Sequence, residues 1–370
     1  MTETMTESRD RLGSRRRAKV LILLAKSRDP GDPAAIARRE MPRPEYVELA
    51  DALGADLVSF DDVDASPHRA VRAASRFGAR FGLAVIGLLR RHEFDLIYAT
   101  GEDVGLPLAA LMRGVRWNGR LTMVAHQCDT PKRRFILGAL GHRVWRSIIV
   151  LASEQRRVLV QDLALPPQKV HRFGQWLDAA FFDPSLTTES RGSYALSCGR
   201  ESRDYATLEA AVTELPYRVH IAASGWAPHA GFDAADGVRP SSTITVSSGR
   251  LSYRELRDLY AGARFVITPL KSVTYAAGVT SICEAMAMGK AVIASDSPGI
   301  RDYVTDGVSG LVVPVGDAGA LRRAIQELWE SPERCAAMGE RNRRWVREHA
   351  ATRHYVESVV ALMHGARHDA

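Results

Sequence analysis

Short apolar runs alternate with longer helical segments along the whole chain. Continuous apolar runs are typical of parallel strands that are buried on both faces. Two successive series of such alternation predict an α/β protein with two doubly wound, Rossmann-like parallel-sheet domains facing a cleft. The runs lie at residues 20–25, 94–99, 120–125 and 147–152, and then at 194–199, 217–224, 242–248, 264–270, 290–295 and 309–315.

A polar stretch poor in strand formers, Asp183–Gly192, separates the two series and is interpreted as a linker. A chain of 370 residues also exceeds what one ordinary core holds, which favours two domains. We predict a first domain at 18–186 and a second at 187–350. Residues 1–17 are interpreted as a disordered basic arm, and 351–370 as a helix for which packing back on the first domain is left open.

The formal net charge of +7 favours an anionic partner, such as nucleic acid, a membrane surface or a phosphorylated substrate. No zinc-finger spacing or aromatic-basic RNA motif is present, which disfavours nucleic acid. The four cysteines form no C-x-x-C pair, so they predict neither a zinc site nor a redox motif. They fit a reducing cytoplasm, and no apolar segment typical of a secretory signal follows the basic start.

The first candidate site is the segment "GVTSICEAMAMGK", in which a glycine turn leads into a helix. The free backbone N–H groups at such a helix start favour a diphosphate. Gly278, Val279, Thr280 and Ser281 would supply these donors. Glu284 follows about one turn later, where its carboxylate could accept hydrogen bonds from ribose hydroxyls. An ordinary amphipathic helix with a solvated Glu284 is the alternative.

The second candidate is "SCGRESRDYATL", in which Arg200 and Arg203 directly follow a predicted strand and precede a helix. Two guanidinium groups at the carboxyl end of a strand can bind a pyrophosphate and neutralise a leaving diphosphate. The alternative is a solvated, charged loop.

These motifs resemble those of the family 4 retaining glycosyltransferases, which have the GT-B fold. The resemblance runs almost continuously from Tyr194 to about Leu328, and is looser in the first half, where "VAHQCD" and "GQWLDAAFFDPS" are similar to family segments. The motifs of the second half read "CGRESRDYATL", "LSYRELRDLYAGARFVITPL", "CEAMAMGKAVIAS" and "VTDGVSGLVVPVGDAGAL".

The resemblance implies transfer of a sugar from a nucleotide diphosphate sugar to an unidentified acceptor, with retention at the anomeric carbon. Arg200 and Arg203 match the family's diphosphate-binding basic pair, and Glu284 matches its ribose-binding glutamate. His126 matches a histidine near the sugar and acceptor, although a buried core imidazole is the alternative from sequence alone. No metal or other cofactor is expected, because the arginines and the helix start already neutralise the phosphates.

Two departures from the family pattern affect the donor sugar and the acceptor. Ala276 occupies the position of the family's first glutamate, so another residue, or the backbone at Ala277–Val279, would have to contact the sugar. The family's N-terminal glycine loop is replaced by a charged, proline-rich segment in which only Gly31 remains as an acceptor-side glycine.

Arg69, Arg72, Arg76 and Arg80 are spaced three and four residues apart, which predicts a basic stripe on one helix face. In membrane-associated members of the family, basic surfaces of the first domain contact anionic lipid. Such a stripe would suit a cytoplasmic protein that lies peripherally at the inner face of the membrane. A solvated helix face is the alternative.

Two other functions remain open at this point. A protein without the first glutamate could bind a sugar nucleotide or a glycan without catalysis. A nucleotide-sugar epimerase has the same fold, but requires acid-base carboxylates in the cleft.

Overall fold

The chain forms two parallel sheets, each of six strands, in the residues that the computed structural model describes. These are residues 18–28, 31, 33–128, 130–187, 192–223, 240–247, 251–273 and 275–365. The strand order is β2-β1-β3-β4-β5-β6 in the first sheet and β12-β11-β10-β7-β8-β9 in the second. Every pairing within the two sheets is parallel, so the predicted class of two doubly wound α/β domains is confirmed.

The first domain places helices on both faces of its sheet. Its strands are β1 (Val20–Leu23), β2 (Asp56–Val58), β3 (Leu96–Ala99), β4 (Leu121–Ala125), β5 (Trp145–Val150) and β6 (Val170–Arg172). Its helices are α1 (Pro33–Ala37), α2 (Glu45–Leu53), α3 (Phe60–Asp64), α4 (Arg69–Ser75), α5 (Ala79–Leu89), α6 (Glu102–Gly114), α7 (Pro131–Leu140) and α8 (Ser153–Arg157).

The second domain repeats this alternation. Its strands are β7 (Tyr194–Cys198), β8 (Val219–Ala222), β9 (Ile244–Ser247), β10 (Ala263–Thr268), β11 (Ala291–Ser295) and β12 (Gly310–Val313). The helices are α9 (Tyr205–Val212), α10 (Tyr253–Gly262), α11 (Val279–Ala287), α12 (Ala318–Glu330), α13 (Pro332–His349) and α14 (Thr352–His364).

Each predicted apolar run overlaps a strand of the structure, but two strands have no such run. These are β2 and β6, which contain the polar residues Asp56, His171 and Arg172. Both strands lie at the edges of the first sheet. An edge strand is not enclosed on all sides, so it does not need the continuous apolar sequence of a central strand.

The last helix, α14, belongs to the second half of the sequence but packs on the sheet of the first domain. Its buried residues Tyr355, Val359 and Met363 share an apolar cluster with Val20 and Ile22 of β1. The hydroxyls of Tyr98 and Tyr355 hydrogen-bond to each other inside this contact. The chain thus crosses back to the first domain before residues 366–370, which lie, like the basic arm at 1–17, outside the described residues.

The predicted single basic helix is wrong in one respect, because the helical segment is interrupted. Helix α4 ends before Arg76, and α5 begins after Gly78, whose φ of 124° is incompatible with a continuous helix. Arg69 and Arg72 therefore lie on α4, whereas Arg80 lies on α5. All four arginines of the stripe are nevertheless exposed.

Candidate functional site

Two loops of the second domain meet at one edge of its sheet. Strands β7 and β10 are parallel neighbours, so their carboxyl ends open at the same edge, where ligands of doubly wound sheets bind. The loops are joined by backbone hydrogen bonds from Asp204 N–H to Pro269 O (3.0 Å) and from Lys271 N–H to Ser202 O (2.9 Å). The two predicted motifs are thereby brought together.

Arg203 is the buried centre of this junction, with 8% of its surface exposed. Its Nε donates to Cys198 O (2.9 Å), its Nη1 to Glu201 O (2.9 Å) and its Nη2 to Ser281 Oγ (2.8 Å). A guanidinium has five N–H groups, so two of them have no partner among the described residues. In the same part of the chain, no carboxylate lies within ion-pair distance of Arg203.

Glycine at position 199 makes room for this guanidinium. A Cβ at Gly199 would lie 2.6 Å from Arg203 Nη2, and the residue has a φ of 96°. Arg200, the next residue, is partly exposed on the same loop. The two predicted arginines therefore differ: Arg203 is built into the loop, whereas Arg200 lies at its surface.

The start of helix α11 provides the second part of the site. Gly278 precedes the helix with a φ of 79°, and a Cβ there would lie 2.7 Å from Thr268 Cγ2. Val279 is buried, whereas Thr280 is exposed. The N–H groups of the predicted donors Gly278, Val279, Thr280 and Ser281 have no acceptor in the described part of the chain, as expected for a helix start.

Glu284, one turn further along α11, is only partly exposed and is not the freely solvated carboxylate of the alternative interpretation. The Tyr260 hydroxyl donates a hydrogen bond of 2.8 Å to its Oε2. Burial raises the pKa of Glu284 to about 7, although the Tyr260 hydrogen bond and the charge of Arg203 act in the opposite direction. A carboxylate kept in such surroundings is typical of functional sites.

Ala276, at the position of the family's first glutamate, is buried. It is 9% exposed, within the apolar cluster of the second domain. A Cβ at Gly299 would lie 3.2 Å from the Cβ of Ala276, which shows how closely these two segments pack. The N–H of Ala277 donates to Tyr275 O (2.8 Å), so this amide is not available to a sugar as the sequence analysis considered.

His126 follows strand β4 of the first domain and is exposed, so the alternative of a buried core imidazole is wrong. Its backbone N–H donates to Glu102 Oε2 (2.9 Å), and its ring Nε2 lies 3.1 Å from Thr100 O. A carbonyl can only accept, so Nε2 carries the proton and Nδ1 is the acceptor of the neutral ring.

A cavity of about 360 Å³ opens beside His126 at the carboxyl ends of β1, β3 and β4. Lys26 Nζ lies 4.9 Å from the centre of the Tyr46 ring, and Trp176 stacks on Tyr355 at 3.7 Å. Gly31 does not line this cavity, and packs beside Met41 instead. The polar lining comprises Lys26, Glu45, Thr100, Glu102, Asp103, His126, Gln127 and Arg133.

A chain of polar contacts crosses from this cavity to the second domain. Arg133 Nη1 donates to Gln127 Oε1 (2.8 Å), and Gln127 Nε2 donates to Glu201 Oε1 (2.6 Å). The Tyr275 hydroxyl donates to the same oxygen of Glu201 (2.8 Å). Sequence reasoning missed these residues, although the position of Glu201 between the two candidate arginines was a signal that could have identified it.

Within the described residues, no group of three or more histidine, cysteine, aspartate or glutamate side chains is placed to hold a metal ion. The four cysteines are buried and form no disulfide bond.

Residues 245–345 match the family model described as "Glycosyl transferases group 1". The match covers α10, β10, α11 and β11, and thus includes the turn at Gly278 and the carboxylate of Glu284.

Solved structures with the same architecture cover nearly the whole chain. A glycosyltransferase from Rickettsia africae ESF-5 covers 95% of this chain and 99% of its own, at 12% identity and a TM-score of 0.67. Sucrose-phosphate synthase from Thermosynechococcus elongatus covers 93% and 98%, at 16% identity and 0.68. Anabaena HepE in complex with UDP and glucose covers 92% and 97%, at 14% identity and 0.66. The fold is GT-B.

Two curated relatives match short stretches only. One is a putative glycosyltransferase, EpsD, of Bacillus subtilis, which is 34% identical over 64 residues, 17% of each chain. The other is a GDP-mannose-dependent phosphatidylinositol monomannoside mannosyltransferase of Mycolicibacterium smegmatis, 36% identical over 84 residues, 23% of this chain. The chain spans 17% and 22% of the lengths of these two relatives.

We predict that Gly278→Ala lowers the melting temperature more than Gly289→Ala does. Both glycines have positive φ, so both substitutions introduce backbone strain, of about 1 kcal/mol. Only at position 278 does the new Cβ meet a neighbour closely, whereas at 289 its nearest neighbour is 3.8 Å away. Calorimetric melting of the two variants measures the difference, and equal losses would contradict the packing argument.

Glu284→Gln should raise the melting temperature relative to wild type at pH 8 but not at pH 5. The folded pKa is raised from 4.5 to about 7, so the stability that this carboxyl contributes is present below 4.5 and is lost as pH rises to 7. Ionising Glu284 in the folded protein lowers the free energy of unfolding by on the order of 3 kcal/mol. The amide of the Glu284→Gln variant stays neutral, and it can still accept the hydrogen bond from Tyr260. A difference that does not depend on pH would refute the raised pKa.

Proposed function

We propose that the protein is a glycosyltransferase that takes a sugar from a nucleotide diphosphate sugar bound by the second domain. The observation that carries the proposal is Arg203, a buried cation without a carboxylate partner among the described residues, beside the open start of helix α11. A buried charge is costly unless it is paired. A diphosphate would pair with the two remaining N–H groups of Arg203 and with the amides of Val279 and Thr280.

The match of residues 245–345 to the glycosyltransferase family supports this proposal, because it covers the start of α11 and Glu284. The descriptions of two similar proteins also support the proposal. HepE was crystallised with UDP-glucose, and the mycobacterial relative is described as GDP-mannose-dependent. With a diphosphate at the start of α11, the ribose of the nucleotide would extend towards Glu284. Its hydroxyls would donate to the carboxylate and favour the ionised form.

We propose retention at the anomeric carbon, as the resemblance to family 4 implies. In that mechanism a diphosphate oxygen takes the proton of the acceptor hydroxyl, on the face of the sugar from which the diphosphate departs. The new glycosidic bond forms as the bond to the diphosphate breaks. Arg203, Arg200 and the start of α11 would stabilise the negative charge of the leaving group, so we assign no role to a metal.

His126 lines the cavity of about 360 Å³ on the first domain, which provides room for an acceptor. The N–H on Nε2 of the exposed ring already donates to Thr100 O. Nδ1 is therefore the ring atom that could accept a hydrogen bond from a hydroxyl of the sugar or of the acceptor. We therefore place the acceptor on the first domain and the nucleotide on the second.

Calorimetry with UDP, GDP, ADP and TDP tests this function, and the nucleotide that binds identifies the donor. Arg203→Ala should weaken binding of that nucleotide and lower transfer from its sugar, by about 2–4 kcal/mol of barrier. Arg334→Ala is the matched control, because this exposed arginine pairs with Glu327 away from the site. Nuclear magnetic resonance of the product shows whether the anomeric configuration is retained. A protein that binds the nucleotide but releases or transfers no sugar would be the non-catalytic binding protein.

An apolar groove on the first domain gives a reason to propose an anionic membrane as a further partner. The groove lies between α4, α5 and α6, and Phe77 at its mouth is 78% exposed. The exposed Arg69, Arg72, Arg76 and Arg80 surround the same segment, and none has an ion-pair partner in the described chain. Apolar residues next to unpaired arginines match the interior and the anionic headgroups of a bilayer surface. The lining residues are Ala74, Phe77, Phe81, Ala84, Val85, Pro107, Ala110 and Leu111.

The groove and the cavity share helix α6. Glu102 at the start of this helix lines the cavity, and Leu111, about 13 Å further along, lines the groove. A membrane-bound acceptor could therefore reach the cavity while its apolar part remains near the groove. No helix in the described ranges is long and apolar enough to cross a bilayer, so contact through this surface would be peripheral.

We predict that the wild-type protein co-sediments with vesicles that contain phosphatidylglycerol, but not with vesicles of phosphatidylcholine alone. Phe77→Asp, or Arg72→Glu with Arg76→Glu, should abolish co-sedimentation, because each removes one of the two attractions. Arg334→Glu changes the net charge elsewhere and serves as control. If all variants, including the control, lost co-sedimentation equally, net charge alone would explain the binding. If the protein self-associated and did not bind vesicles, the groove would be an interface with a second copy of the chain.

A further inference from the structure

The carboxylate of Glu201 lies where the two domains meet in the cleft. It belongs to the same loop as Arg200 and Arg203, and it contacts Gln127 of the first domain and Tyr275, three residues before Gly278. We propose that Glu201 binds a hydroxyl of the donor sugar and thereby helps to select the sugar. The inference rests on the proposed function, because it requires a nucleotide sugar in this cleft.

The two oxygens of Glu201 are used unequally. Oε1 accepts from both Gln127 Nε2 and the Tyr275 hydroxyl, whereas Oε2 has no partner among the residues that the structure describes. The side chain is exposed to the cleft. One oxygen therefore fixes the carboxylate, and the other remains an acceptor for a ligand.

The partners of Glu201 are themselves oriented, so the carboxylate is held in a defined position. Arg133 can only donate, and its bond to Gln127 Oε1 turns the Nε2 group of that amide towards Glu201. On the other side, Tyr275 lies 2.7 Å from Ser202 Oγ, and burial raises the pKa of its hydroxyl, which remains protonated and donates to Glu201.

Glu201 supplies a carboxylate close to Ala276, the position at which the family has a glutamate. Tyr275 directly precedes Ala276, which is buried in the core and has no side-chain acceptor. Glu201 therefore brings a carboxylate from the neighbouring loop to the same turn. The loop also carries Arg203, the proposed diphosphate ligand, and the sugar is attached to that diphosphate. An ionised acceptor binds a hydroxyl more strongly than a neutral one, and a site built around a hydroxyl rejects sugars that present it differently.

A different role for Glu201 would be only to hold the two domains together through Gln127. The variant Gln127→Ala separates the two roles, because it breaks the contact across the cleft but keeps the carboxylate and its bond to Tyr275. A merely structural contact would make Gln127→Ala and Glu201→Ala equivalent.

The experiment compares wild type, Glu201→Ala, Glu201→Gln and Gln127→Ala with UDP-glucose and UDP-galactose, or with the corresponding pair on whichever nucleotide binds. The ratio of the two kcat/KM values for sugar release measures discrimination, and calorimetry with the free nucleoside diphosphate measures its Kd. We expect Glu201→Ala to reduce discrimination about tenfold or more, as for loss of a charged hydrogen bond, with the Kd changed less than about twofold. Glu201→Gln should have an intermediate effect, and Gln127→Ala should slow both sugars alike.

Unchanged discrimination in Glu201→Ala, or the same loss in Gln127→Ala, would overturn the inference while leaving the proposed function intact. A wild-type protein that binds none of the nucleoside diphosphates would overturn the proposed function itself, and this inference with it.

Discussion

The candidate site depends on the hydrogen bonds of the Arg203 guanidinium. It joins the carboxyl end of β7 to the first turn of α11 through Cys198 O and Ser281 Oγ, and it remains 8% exposed. Its positive charge is buried at the positive end of a helix, and no carboxylate of the described residues lies within ion-pair distance of it. The folded chain therefore places two positive electrostatic potentials together. That arrangement is unfavourable on its own, and a bound anion would compensate it, which is the reason for proposing a diphosphate there.

Two kinds of contact relate the domains to each other. In one set, the Tyr303 hydroxyl donates to Leu151 O (2.6 Å) and accepts from Gln175 N–H (3.0 Å), while Asp302 accepts from Ser153. Three of these four bonds have a backbone group as donor or acceptor. In the cleft, the partly exposed side chain of Gln127 donates to the exposed side chain of Glu201. Exposed contacts contribute little to stability, so the cleft contact is better suited to orient groups than to hold the fold.

The candidate residues of the second domain could be named from the family resemblance and the sequence pattern, because they lie close together along the chain. Gly278 directly precedes α11 and Glu284 lies within that helix, so their relative positions follow from helix geometry alone. The arginine stripe was predicted correctly as exposed but wrongly as one helix, since the glycine at 78 interrupts it. The assignment of Gly31 to the acceptor side stays a prediction; in the structure this glycine lies beside Met41 and does not line the cavity beside His126.

The sequence by itself indicated the two doubly wound sheets, since apolar runs that alternate with helical segments are typical of parallel strands, and it identified the glycine turn before Glu284. Only the tertiary structure decided that Arg203 is buried while Arg200 is not, that His126 is exposed, and that Ala276 lies in the core. It also brought Glu201 to Gln127, 74 residues away. Burial and contacts between distant residues depend on how separate elements pack, and no local periodicity records that packing.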